Sequence, residues 1–201
     1  MASKLGICNG ALIRLGAPII ADFTSSDIAV SCDTIYSGIR DMLIAMHPWR
    51  FATAKRQLAQ LVDTPLNEWT YAYQLPSDAI LAPHAVFRDA VVGAQPFQDF
   101  EIFENKLYTD ATTIIIDYRY APSEGNWPPW FVELVTLAMT GAMAMPVTQN
   151  DGLASEWNQR AFGTYSENGM GGYFGVCALQ NAQANPPIQI RDFSLVDARF
   201  G

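Results

Sequence analysis

Residues 112–145 read TTIIIDYRYAPSEGNWPPWFVELVTLAMTGAMAM, and within them the chain passes from β to α structure. Thr112–Tyr120 is dense in β-branched and aromatic residues, which suit a pleated, half-buried surface. Glu124–Pro129 contains Gly125, Asn126 and two prolines, a punctuated break. Pro128 and Pro129 suit the first turn of a helix. Trp130–Met145 is then apolar nearly all round, with Glu133 its only charge. Such a helix lies at the centre of a bundle or between subunits. The fold implied is α+β: a helical bundle of about four helices with an antiparallel β-sheet lobe inserted into it.

Upstream, the β texture extends back through residues 63–125. Trp69, Tyr71 and Tyr73 alternate with Thr70 and Ala72 at strand spacing. Ala79–Arg88, Phe97–Glu104, Lys106–Thr109 and Thr112–Tyr120 follow, which makes five short antiparallel strands with partly solvated faces. Asn105 between Glu104 and Lys106 predicts a tight hairpin. The acid excess of the chain sits here. Eleven carboxylates between Asp63 and Glu133 face only Arg88, Lys106 and Arg119, which equals the net charge of −8 of the whole chain.

Residues 1–62 and 126–185 are expected to form the helical frame. Leu5, Cys8, Leu12 and Leu15 make one helical stripe, ended by Gly16 and Pro18. Ser25, Ser26 or Asp27 caps a second helix running to about Met46. Its stripe is Ile28, Ala29, Cys32, Ile35, Tyr36, Ile39, Met42, Leu43 and Met46, and Pro48 stops it. Beyond Met145, Pro146 and Asn150-Asp151-Gly152 break the apolar helix. A final helix from about Leu153 is interrupted by Gly163, Gly169, Gly171, Gly172 and Gly175, which predicts a kink or split near Asn168–Gly172. Residues 186–201 have no helical stripe. Their apolar residues, Ile188, Ile190, Phe193 and Leu195, alternate in extended fashion, so this arm needs a partner surface.

Several function classes are disfavoured. Half of the residues are apolar, which excludes a disordered chain. An acidic balance argues against gripping the outside of nucleic acid but suits a surface past which DNA slides. Cys8, Cys32 and Cys177 contain no CxxC pair and read as buried small hydrophobes. With only His47 and His84 beside them, a Cys/His metal site is not expected. The N-terminus lacks a signal pattern, and apolar runs stay short of about 20 residues, so no membrane span is expected.

No phosphate loop, dinucleotide fingerprint, nucleophile elbow or HExxH occurs. GMGGYFG at Gly169–Gly175 lacks the Lys and Ser/Thr of a phosphate loop. His47 ends a helix, where a cation complements the dipole, and His84 reads as a surface residue. Asp99, Glu101, Asp117 and Glu133 are the candidates for a glycosidase pair, though nothing fixes two of them at a defined separation. Trp69, Tyr71 and Tyr73 are the candidates for a carbohydrate-stacking platform. Trp49, Trp127, Trp130 and Trp157 read more simply as packing residues.

Several phrases carry a family resemblance. ICNGALIRLGAPII and AVSCDTIYSGIRDMLIAMHPWRFATAKRQLA resemble the N-terminal half of bacteriophage head-to-tail adaptor proteins, the tail tubular protein A group of short-tailed phages. Tyr36–Phe51, with Arg40, Asp41, His47, Pro48 and Trp49, is the most specific phrase. WTYAYQLPSDAI, NWPPWFVELVTLAMTGAMAMPVTQNDGLASEW and the closing DARFG are similar to the family as well. The glycine cluster at Gly169–Gly175 departs from it, standing where the family carries a more regular long helix.

The resemblance implies a structural virion protein of the phage tail or neck, assembled in the host cytoplasm, without enzymatic activity or cofactor. Such proteins form a homo-oligomeric ring, commonly of twelve copies, between the portal protein and the distal tail tube or nozzle protein. DNA passes through the channel without specific binding, and no membrane is involved. The C-terminal arm, with Ile188, Ile190, Arg191, Phe193, Leu195, Arg199 and Phe200, is implied to dock on the portal. Bundle and ring packing would fall to Ile28, Cys32, Ile35, Tyr36, Ile39, Met42, Leu43, Trp49, Trp130, Leu134 and Leu137. The alternatives are a carbohydrate- or partner-binding β module and a tail-associated cell-wall hydrolase.

Overall fold

A computed structural model describes residues 2–62, 65–66, 68–91 and 94–184. The arm residues Ile188, Ile190, Arg191, Phe193, Leu195, Arg199 and Phe200 lie outside the described residues. Five helices and six strands are present among those described: α1 Lys4–Arg14, α2 Asp27–Met46, β1 Thr53–Gln57, β2 Tyr71–Gln74, β3 Ala85–Phe87, β4 Glu101–Phe103, β5 Lys106–Thr109, β6 Ile115–Arg119, α3 Pro129–Thr148, α4 Asp151–Phe162 and α5 Gly172–Gln183. The fold is α+β, with the strands between α2 and α3.

The helices begin where their caps dictate. The Ser3 hydroxyl accepts from the Gly6 amide, Ser26 from Ala29 at 3.2 Å, and Asn150 from Leu153 at 3.1 Å. α3 starts on Pro128 and Pro129. It is the axis of the bundle, packed against α1, α2, α4 and α5. By length and composition it could cross a membrane, which differs from the expectation of apolar runs too short for a span. Here, however, Phe131, Leu134, Val135, Leu137, Ala138, Met139, Met143 and Ala144 are buried against the other helices. The surface that suggested subunit contacts is therefore covered within one chain, and of its large apolar side chains only Met145 is exposed.

Pro146 does not stop this helix, contrary to expectation. It sits in the last turn, where only its own bond to the carbonyl four residues back is forfeited. The helix closes at Gln149, whose left-handed φ of 54° lets its N–H bond to the Met145 carbonyl.

The expected final helix splits into α4 and α5. Gly163 and Gly172 have φ of 81° and 53°, and their backbones touch. A Cβ at Gly172 would stand 2.6 Å from the Gly163 nitrogen and 2.7 Å from the Arg160 carbonyl. Between them, the Thr164 amide and hydroxyl both donate to Glu167, forming a reciprocal cap that holds the Glu167 carboxyl below its usual range.

The lobe is two three-stranded antiparallel sheets, in the orders β1-β6-β3 and β2-β5-β4, rather than one five-stranded sheet. They share one core of Leu58, Tyr73, Leu75, Val86, Leu107, Ile114, Ile116 and Tyr118. The hairpin between β4 and β5 is the expected one, with Glu104 and Asn105 at φ of 51° and 56°, the geometry of a type I′ turn.

The expected lobe boundary at residue 63 comes too late. β1 pairs with β6 along its whole length, Thr53 opposite Arg119 through Gln57 opposite Ile115. This strand was hidden in TAKRQ because an edge strand exposed at four of its five residues has no apolar alternation to read.

In α2 the buried side chains are Ala29, Cys32, Tyr36, Leu43 and Ile44, while Ile28, Ile35 and Ile39 pack at the margin. Met42, expected inside, is 43% exposed, and Ile44 takes the buried position. The stripe thus drifts at its C-terminal end, where the chain turns under Trp49. Leu43→Ala should cost roughly 2–5 kcal/mol and Met42→Ala no more than about 1 kcal/mol, measured as midpoint shifts in urea unfolding. Equal losses would show that the inner face of α2 is wrongly assigned.

Candidate functional site

The bundle carries two apolar surfaces, and α4 separates them. On one side, Met42 and Met46 of α2 and Ser155, Asn158, Gln159 and Phe162 of α4 line a groove of about 790 Å³, which Gly163, Thr164, Tyr165, Asn168 and Gly169 close. Tyr165 at its rim is completely exposed. On the other side, Trp157 and Arg160 of α4 join Arg14, Glu133, Leu137, Gly172, Tyr173 and Val176 around a cavity of about 560 Å³. At 100° per residue, Ser155, Asn158 and Phe162 point one way from α4, and Trp157 and Arg160 the other. The second surface continues along α5, where Val176 and Leu179, one turn apart, are 47% and 65% exposed.

Residues around the second cavity carry buried polar groups without partners among the described residues. Arg14 Nη2 donates to both carboxylate oxygens of Glu133 at 2.8 Å, tying α1 to α3. Its other terminal nitrogen, Nη1, is buried with no acceptor among the described residues. Trp157 Nε1 is in the same position. The Arg160 guanidinium lies 4.6 Å from the Trp157 ring and pairs with Glu156 one turn back. Each buried N–H left without a partner costs about 1–3 kcal/mol.

The candidate carboxylates do not converge. Glu133 is committed to Arg14 in the bundle. Asp117, on β6, faces Lys55 Nζ at 3.1 Å, a charge contact not aligned as a hydrogen bond, since Asp117 Oδ1 has no hydrogen-bond partner. Glu101, on β4 in the other sheet, accepts from Trp69 Nε1 at 3.2 Å. The Asp99 backbone carbonyl accepts from the Thr109 hydroxyl. Of the three aromatic candidates, Tyr73 is buried in the lobe core with its hydroxyl on the Ala111 carbonyl, while Trp69 and Tyr71 are half-buried. All three cysteines are buried and free, as read from the sequence. Among the described residues no three His, Cys, Asp or Glu side chains gather where they could hold a metal.

His47 ends α2 as expected, but as a neutral ring. The Asn181 carboxamide is oriented by the Arg50 N–H on its Oδ1 at 3.0 Å, so its Nδ2 donates to His47 Nε2 at 3.2 Å. An accepting nitrogen carries no proton. Burial, aided by the nearby Arg119 charge, also pushes the His47 pKa down. The cation at this helix end is Arg119 of β6, which donates to the Ala45 carbonyl. Sequence spacing could not reveal it, because 74 residues separate the two.

No protein-family model matches the chain, and no curated protein matches it.

The His47 arrangement makes stability depend on pH. An unfolded histidine titrates near about 6.5, and the folded ring titrates lower. Between these values the unfolded chain binds more protons than the native one, so stability is full above the window and falls on acidification through it. In urea titrations, acidification from neutral pH through that window should weaken the wild type more than His47→Gln. Parallel losses would remove His47 as the responsible group.

Proposed function

We propose that this protein is a ring-forming structural subunit, a head-to-tail adaptor that joins a phage portal to the distal tail or nozzle and surrounds the DNA path. Supporting this reading is the resemblance carried by Tyr36–Phe51 and by the flanking phrases. The observation that carries it is the pair of unlike apolar surfaces on opposite sides of α4. A surface that meets its own copy across a two-fold axis needs only one self-complementary patch. Two different patches facing apart favour head-to-tail contact, which closes into a ring when the rotation per subunit allows.

In this reading the Met42–Met46–Phe162 groove of one copy receives the Val176–Leu179 ridge of α5 from the next. Methionine suits such a groove because its unbranched side chain adapts to the shape it meets. The acidic lobe presents like charge to DNA and so lets it slide. Residues 186–201 supply the contact with the portal.

The test is assembly with the portal, imaged by electron microscopy and averaged for subunit number. The wild type should give rings, whereas Leu179→Asp and Met42→Asp, both at exposed positions, should stay monomeric with unchanged far-UV circular dichroism. Deletion of residues 186–201 should abolish portal binding. A wild type that remains monomeric with portal, or an aspartate variant that still forms rings, sinks the proposal.

A further inference from the structure

Two residues that line the cavity on the α1, α3 and α5 side of α4 carry buried donors that no contact within the bundle accounts for. We propose that this cavity is a receptor site for a carboxylate carried on a short apolar body. Arg14 Nη1 and Trp157 Nε1 are both buried, both lack an acceptor among the described residues, and both belong to residues lining this one space of about 560 Å³. A carboxylate is acceptor-only and offers two oxygens, the chemical complement of two N–H donors. One of the bonds would come from a guanidinium, and such charge-assisted bonds are the stronger kind.

The surrounding charges select among anions. Glu133 already balances Arg14, and Glu156 balances Arg160. A singly charged carboxylate fits this nearly neutralised setting, whereas a phosphate dianion would meet the Glu133 carboxylate without a spare cation. Both contacts of Arg14 to Glu133 run through Nη2, which leaves Nη1 over as the donor for a ligand. Leu137, Val176 and the Tyr173 ring supply apolar wall for the body of the ligand. The carboxylate has two possible sources, a free small acid or an acidic side chain of another copy of this chain.

The probe is 3-phenylpropionate, titrated into the full chain labelled with ¹⁵N at its five indole groups. Its amide, 3-phenylpropanamide, and inorganic phosphate serve as comparisons. The Trp157 indole resonance, identified by its loss in Trp157→Phe, should move saturably with the acid. The amide and phosphate should bind at least about tenfold more weakly, a difference of about 1.4 kcal/mol. Arg14→Lys keeps the charge facing Glu133 but loses the second donor nitrogen, and it should weaken the acid by a similar factor while the other four indole resonances stay in place. Should that variant not fold, calorimetry on Trp157→Phe should show the same loss.

The two sources separate in the absence of probe. Movement of the Trp157 resonance with protein concentration, reversed by 3-phenylpropionate, assigns the carboxylate to another copy; movement only on adding the acid assigns it to a free ligand. No movement with the acid at large molar excess means that water alone fills the cavity and overturns the proposal. Equal response to acid and amide overturns it too. The site is read from the Trp157 resonance and ring assembly by imaging, so failure of one is distinguishable from failure of the other.

Discussion

α2 runs to Met46 and cannot continue, because Pro48 follows two residues later. A helix end leaves its last carbonyls without intrahelical donors. Two side chains from outside the helix meet that need. Trp49, completely buried, folds back so that its indole N–H donates to the Leu43 carbonyl at 2.7 Å. Arg119 reaches from β6 to the Ala45 carbonyl. The indole then packs at 5.4 Å from both Trp130 and Phe131 of α3 and at 5.5 Å from Phe174 of α5. One helix terminus thereby fixes the bundle's interior and the attitude of the lobe together. The phrase from Tyr36 to Phe51 has a physical rationale here, since Tyr36 at its other end is buried and donates to Glu124 at 3.0 Å, beside the return to α3.

What was legible in the sequence was local. The period of α2, the proline-led start of α3, the Glu104–Asn105 turn and the glycine break after α4 each depend on residues a few positions apart, and each is present. The illegible features are long-range. β1 becomes a strand because β6 offers it a partner, not because TAKRQ favours one. The division into two sheets depends on which strands meet across the shared lobe core. Pro146 reads as a stop until the helix is known to end only two residues beyond it. The same distinction governs the candidate site. Glu133 stood out as the lone charge on an apolar helix, but its role depends on Arg14, 119 residues away. The unpaired faces of Arg14 and Trp157 left no trace in spacing at all.

The electrostatic picture also shifts once β1 joins the lobe. Residues 53–125 hold ten carboxylates against five cations, because Lys55 and Arg56 belong with the strands rather than the helices. Lys55 faces Asp117 at 3.1 Å, and Arg56 faces Asp78 at 3.5 Å. Other lobe carboxylates organise backbone. Asp110 accepts from both the hydroxyl and the amide of Thr70, which hold its carboxyl below the usual range. Much of the apparent acid excess is thus spent on building the lobe.

The two chain passages that lead into and out of the lobe touch each other. The Tyr120 amide donates to the Ala52 carbonyl at 3.0 Å, immediately before β1 and after β6. A segment whose ends are joined in this way can be lengthened, shortened or exchanged while the helices on either side keep their positions. The bundle is therefore the chassis, since each of its helices packs on α3. The lobe is the part that can change at little structural cost, so what the chain presents at that end is separable from how its helices pack.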